Sequence, residues 1–427
     1  MKNAKMNPIL VCLSAMLCLG EVSAEVIHEF VADRTGTIDV SGNFTAQLNS
    51  LQTGDTLQVP CGDYLVSHQI AVNLLNKAVS IQGDGKGVTR IICDNQQGIF
   101  RFNNTTSESQ LSISDLTLAA KRANSGIAVH FINPALSSNL SLCSLRMKGI
   151  DYQKLSSDCW FRRGVHASNL QQPKFEDVWF EGFTVGYTGT NQTYSGSEAG
   201  FRIDNVQNPS FVDCYVRQSQ FGVQLTGVVG VCTIKRLVSV ANFNGIQLTA
   251  PPQAGAHSEA LVSDSFTGGY LTGTDAKNIK KVTMKNVTST GANWYTEDKK
   301  YIRPPHPYPS DYDEANQFSW PPYSDIIISR CPSVLIDGCN FFSWYVTYGR
   351  VCVSLSGTTT NDVNIKHCIF NASPNRGKYS EPPVHTESVH PAISVKNDLQ
   401  QTWNGATNTT SGPVKLEDNI YHEYGTW

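Results

Sequence analysis

Arg202 and Asp204 stand two residues apart in the stretch Gly200-Phe201-Arg202-Ile203-Asp204, and His166 takes the Arg202 position in the similar stretch Gly164-Val165-His166-Ala167. In a strand, residues two apart project from the same side, so this spacing offers a guanidinium, a carboxylate and an imidazole to one surface. Elimination beside a sugar carboxyl needs a base for the adjacent proton and a cation that neutralises the carboxyl as charge develops. Arg202 suits the second task, and Asp204, His166 or His130 suits proton transfer. Around them recur His130, Ser168, Gln224 and Gln247, polar groups able to hold sugar hydroxyls. Glu198, His257 and Glu259 flank the same stretches as reserves. A solvated sheet face must be polar in any case, and an exposed Arg202–Asp204 pair alone contributes little.

A second candidate surface is the segment 291–324. It contains Trp294, Tyr295, Tyr301, Tyr308, Phe318 and Trp320, with prolines from Pro304 to Pro322. Aromatic faces give sugars an apolar platform, and proline restricts a long loop before it folds. Trp294, Tyr308 and Trp320 are therefore expected to bind substrate, unless the loop simply seals the side of the fold.

These residues need elements that hold them in line. A glycine followed by alternating apolar positions recurs at Gly98, Gly126, Gly164, Gly182, Gly200, Gly222 and Gly245; from Gly164 the steps are 18, 18, 22 and 23 residues. A second phrase alternates with it, with copies at Ile113 to Leu118, Leu142 to Met147, Phe175 to Phe180, Phe211 to Val216, Ile336 to Phe341 and Ile365 to Phe370. Both have period 2 and no helix intervenes, the pattern of a parallel β-solenoid. Aligning the glycines gives two outward ladders. One runs Ala128, His166, Thr184, Arg202, Gln224, Gln247; the other runs His130, Ser168, Gly186, Asp204, Thr226, Thr249. In the second phrase Leu116, Leu145, Val178, Cys214, Cys339 and Cys368 share an inward column, and a bridge between Cys339 and Cys368 stays open. Just before it runs a polar column of Asp115, Asp177, Asp213, Asp264, Asn286, His367 and Asp418. Asp and Asn recurring in every turn read as turn formers and not as a catalytic row.

The 427 residues carry only 16% charged side chains and a net charge of -3. That excludes a basic footprint for nucleic acid and leaves no bulk attraction to an anionic membrane. Residues 1–24 combine Lys2 and Lys5, an apolar run and Val22-Ser23-Ala24, the features of a cleaved export signal. A secreted or periplasmic mature chain, 25–427, is expected as one domain. Ten cysteines follow residue 24, since Cys12 and Cys18 precede it. They lack the spacing of a zinc site or a small disulfide scaffold.

At the N-terminus, Glu25-Val26-Ile27-His28-Glu29-Phe30-Val31-Ala32-Asp33-Arg34-Thr35-Gly36 precedes an amphipathic stretch, Phe44 to Leu51, and then Gly54-Asp55-Thr56-Leu57-Gln58-Val59-Pro60-Cys61-Gly62-Asp63-Tyr64. This resembles the opening of the pectate-lyase-like superfamily of right-handed parallel β-helices, which includes secreted polysaccharide lyases, rhamnogalacturonase-like proteins and phage tailspikes. The resemblance implies an all-β right-handed parallel β-helix with a short capping helix within about residues 25–60. It implies a lyase or glycoside hydrolase acting on an acidic polysaccharide, or else a non-catalytic carbohydrate-binding, adhesin or tailspike-like module. The chain carries no Asn-Thr-Asp, Gly-His-Gly, Arg-x-Pro-x-x-Arg or Asp-Pro-His-Asp signature of the superfamily's enzymes. Several lyases of this fold use calcium, but no compact Asp/Glu cluster in the sequence indicates it. No cofactor is expected, and both a monomer and a homotrimer are compatible with the sequence.

Overall fold

The computed structural model describes residues 26–103, 109–134, 136, 138–150, 158–183, 196–252, 257–291, 324–343, 351–356, 362–371, 393–396 and 414–422. Their strands pair in parallel into one continuous sheet wound as a right-handed parallel β-helix. Each rung has three faces. The glycine-led strands form the first, including Ile127–Ile132, Arg163–Gln171, Ala199–Gln207 and the leading part of Phe221–Lys235. The second phrase supplies the other two, because its strands turn a corner in the middle: Lys174–Glu181 pairs with Ser210–Val212 before the corner and with Tyr215–Arg217 after it.

The polar column is that corner. Asp115, Asp177, Asp213, Asp264, Asn286, His367 and Asp418 all have φ between 48° and 58°, joined by Ser144 (48°) and by Gly338 (63°). Asp and Asn tolerate this left-handed conformation better than other side-chain-bearing residues, which explains their recurrence. The residues after the corner point inward: Leu116, Leu145, Val178, Cys214, Cys339 and Cys368 are at most 1% exposed. Cys61, Cys93, Cys143, Cys159, Cys214, Cys232, Cys331, Cys339 and Cys368 are free thiols, and Cys339 and Cys368 hydrogen-bond to each other.

The glycine signal has a different cause. A Cβ on Gly164 would lie 2.6 Å from the carbonyl oxygen of Gly200, one on Gly222 2.4 Å from that of Gly245, and one on Gly245 2.4 Å from that of Gly273. The chain enters the first face where successive rungs approach too closely for any side chain. Three of the expected positions fall outside this column, Gly98 by one residue, since it pairs with Ile127 and through it with Arg163. Gly182 ends the third face, and Arg163–Gln171 pairs directly with Ala199–Gln207. The two 18-residue steps are thus one rung with an insertion. Gly126 also stands two positions early, since Val129 pairs with Val165. His130 therefore moves from the second ladder into the first, where it adjoins His166, and Ala128 is wholly buried.

The helix Ser41–Ser50 begins three residues before the expected stretch and has no side-chain cap at Val40. Packing holds it: Phe44 and Leu48 are buried, and the Phe44 ring stacks on Phe30 at 3.8 Å. Residues ahead of the helix already form rung strands, with Ile27–Glu29 on Thr56–Val59 and Thr35–Asp39 on Gly62–Val66. No helix among the described residues is long and apolar enough to cross a membrane. Residues 1–24, where an export signal is expected, and residues 292–323 of the aromatic insertion lie outside the described residues.

Candidate active site

The first face brings the sequence-derived groups onto four consecutive rungs. His130 pairs with His166, His166 with Arg202, and Arg202 with Gln224 in one ladder; Ser168, Asp204 and Thr226 run alongside. Asp204 lies at their centre. Its Oδ2 is 3.3 Å from His166 Nε2 and accepts from Arg202 Nε at 3.3 Å, while Oδ1 accepts from Thr226 Oγ1 at 2.8 Å. The His166 hydrogen bond, followed by those of Thr226 and the charge of Arg202, holds the Asp204 carboxyl down at about 2 against the opposing effect of burial. Asp204 is therefore a permanent anion.

Sequence spacing missed the group that fixes His166. Arg163 donates from Nη1 to His166 Nδ1 at 2.9 Å and is itself gripped by Glu198, through Nε at 2.6 Å and Nη2 at 2.5 Å. A guanidinium only donates, so Nδ1 must carry the lone pair and Nε2 the proton that goes to Asp204. The only sequence signal for this arrangement is the Arg162-Arg163 pair abutting Gly164, with Glu198 just before Gly200.

His130 differs from its neighbour. Its ring stacks on His166 with centroids 4.9 Å apart and planes at 9°, and it makes no hydrogen bond among the described residues. Burial, then the neighbouring His166, Arg101, Arg163 and Arg162, lowers its pKa to about 4. It is neutral at ordinary pH, with a lone pair available. Arg202 keeps Nη1 and Nη2 unengaged among the described residues, and its side chain is 38% exposed.

Further along the face, Gln224 Nε2 donates to Gln247 Oε1 at 2.8 Å and Gln247 Nε2 donates to Asp275 Oδ2 at 3.4 Å. Of the reserves, Glu198 joins the site. Glu259 does not, lying on the second face 3.9 Å from Lys281, and His257 precedes it there. Trp294, Tyr308 and Trp320 fall outside the described residues. The insertion that contains them leaves the third face at Gly291 and re-enters the first at Ser324, the same corner crossed by 150–162 and 182–198. As to a calcium ion, no three His, Cys, Asp or Glu side chains converge among the described residues, and Asp204 already accepts three hydrogen bonds. These residues do not fit a bound cation.

No family model matches the chain, and no curated protein matches it in sequence. Solved structures do. The A-module of the Azotobacter vinelandii mannuronan C-5 epimerase AlgE6 is similar over 93% of this chain and 95% of its own, at 15% identity and a TM-score of 0.59. The A-module of the epimerase AlgE4 from the same organism is similar over 92% and 94%, at 14% identity and a TM-score of 0.54. Both are parallel β-helices, so the fold expected from the N-terminal resemblance is the fold found.

Proposed function

We propose that the protein acts on an acidic polysaccharide by removing the proton beside a uronate carboxyl, with elimination as the outcome. The observation that carries this reading is the pairing of a neutral, unengaged imidazole, His130, with an open guanidinium, Arg202, on either side of the locked His166–Asp204 pair. Arg202 neutralises the substrate carboxyl. His130 takes the proton α to it, the electron pair forms a new C=C bond, and the glycosidic C–O bond β to the carboxyl breaks. The leaving oxygen takes a proton from water. Asp204 orients Arg202 and His166 and does not itself exchange protons at working pH. The epimerase modules, which share the fold, are named for a reaction at a uronate carbon.

Hydrolysis is less well supported. It needs two carboxyls within about 10 Å, one of them protonated. On the outward ladders Asp204 and Asp275 are three rungs apart, roughly 14 Å at the usual strand spacing, and Glu198 is held by Arg163.

The reading includes export, with a mature N-terminus at Glu25 that mass spectrometry of the product from a native host would verify. Activity is tested by ultraviolet absorbance of the unsaturated product on a panel of uronate polymers. The His130→Gln variant is expected to bind glycan but not to turn it over. Retained turnover in that variant overturns His130 as base; binding without turnover in the parent protein supports a carbohydrate-binding module instead.

A further inference from the structure

Charge is distributed unevenly along the first face. Toward the N-terminal end of the solenoid the ladder carries the cations Arg101 and Arg202 with the neutral His130 and His166 between them, Asp204 beside Arg202 and the Arg163–Glu198 pair at the edge. One rung beyond Arg202 the charge stops. The outward residues there are Gln224 and Thr226, and on the next rung Gln247 and Thr249. The glutamines are not free to swing, because Gln224 donates to Gln247 and Gln247 to Asp275. The third rung offers Asp275 and Lys277 together, and the polar ladder then ends at Ile327.

From this asymmetry, and resting on the uronate reading above, we infer that the substrate is an acidic heteropolysaccharide in which the reacting uronate is followed by about two uncharged sugars. The uronate lies over the His130–Arg202 rungs. The uncharged sugars lie over the Gln224 and Gln247 rungs, which together span about 10 Å. A uronate placed there would set a carboxylate over fixed amides with no cation on either of those two rungs, and on the next rung Asp275 offsets the charge of Lys277. An unpaired charge at a partly buried surface is costly. Hydroxyls suit the same positions, since each amide and threonine can both donate and accept. Sites that leave polar groups mismatched discriminate strongly between otherwise similar ligands.

The test uses the full mature chain and three probes: a mannuronate–guluronate polymer, a polygalacturonate, and a polymer in which uronates are separated by neutral hexoses. The initial rate on the third is expected to exceed the other two by about tenfold or more. Gln247→Lys should narrow that ratio by favouring the homopolymers. Equal or faster turnover of a homopolymer, or an unchanged ratio in Gln247→Lys, overturns the inference while leaving the elimination reading intact. If no polymer is turned over, the elimination reading fails alone, and affinity electrophoresis on the same polymers decides the preference. Tighter retention by the heteropolymer upholds it, and tighter retention by a homopolymer overturns it.

Discussion

The imidazoles of His130 and His166 lie face to face on adjacent rungs, 4.9 Å between centroids and 9° from parallel. One ring has both nitrogens committed, to Arg163 and Asp204; the other has neither. Identical side chains one strand apart thus carry different chemistry, and the difference comes from what each rung's flanking residues supply.

Because burial lowers the His130 pKa from 6.5 to about 4, the unfolded chain takes up a proton between those values and the folded chain does not. Stability should therefore fall as pH drops through that window. The expected loss is of the order of 2 kcal/mol after allowing for partial exposure. His130→Gln should flatten it. Urea denaturation at about pH 7 and about pH 4.5 measures this. Asp204 acts lower down: its contribution is present above the ordinary carboxylate range and disappears only as pH falls through about 2.

Arg163→Ala frees His166 Nδ1, so the imidazole can flip tautomer and lose its bond to Asp204. We expect kcat to drop about tenfold or more, with KM less affected. Arg163→Lys should restore part of it, since an ammonium can still donate to Nδ1. Ring-nitrogen chemical shifts of His166 distinguish this from simple loss of packing, because a purely structural role would leave the tautomer unchanged.

Gly222→Ala places a methyl 2.4 Å from both the Gly245 carbonyl oxygen and Ser239 Oγ. A destabilisation of about 1–3 kcal/mol is expected by denaturant titration. Gly42→Ala is the control, because nothing lies within 4 Å of the new methyl in the helix Ser41–Ser50. It should be neutral or stabilise by up to about 1 kcal/mol.

Burial raises the thiols of Cys214 and Cys232 to about 12 and those of Cys93 and Cys331 to about 11. Thiolate is the reactive form. Peptide mapping after alkylation of native protein should find exposed Cys61 modified and these four protected until denaturant is added. Labelling of native Cys232 would contradict its position in the core.

The period-2 phrases and the corner column were legible because each repeats a local requirement: alternate burial in one case, left-handed φ in the other. Ladder register was less legible. A glycine marks where backbones crowd, and Gly126 and Gly182 meet other neighbours than the column from Gly164 does, so aligning on glycine displaced His130 by one ladder. Arg163 was invisible for a related reason. It sits at the corner, outside the alternation, and its importance depends on Glu198, which is 35 residues away in the chain.

The added chain length at 150–162, 182–198, 292–323 and 372–392 enters at one corner, between the third face and the first, although 250–257 and 397–413 enter between the first face and the second. Residues can therefore be gained or lost along that seam without shifting the hydrogen-bond register that aligns His130, His166 and Arg202. Length variation and alignment of the ladder are mechanically independent in this scaffold. Chain can differ widely at the seam while the ladder of His130, His166 and Arg202 stays in place, and under the proposed function grafting there is the natural route to altering substrate choice.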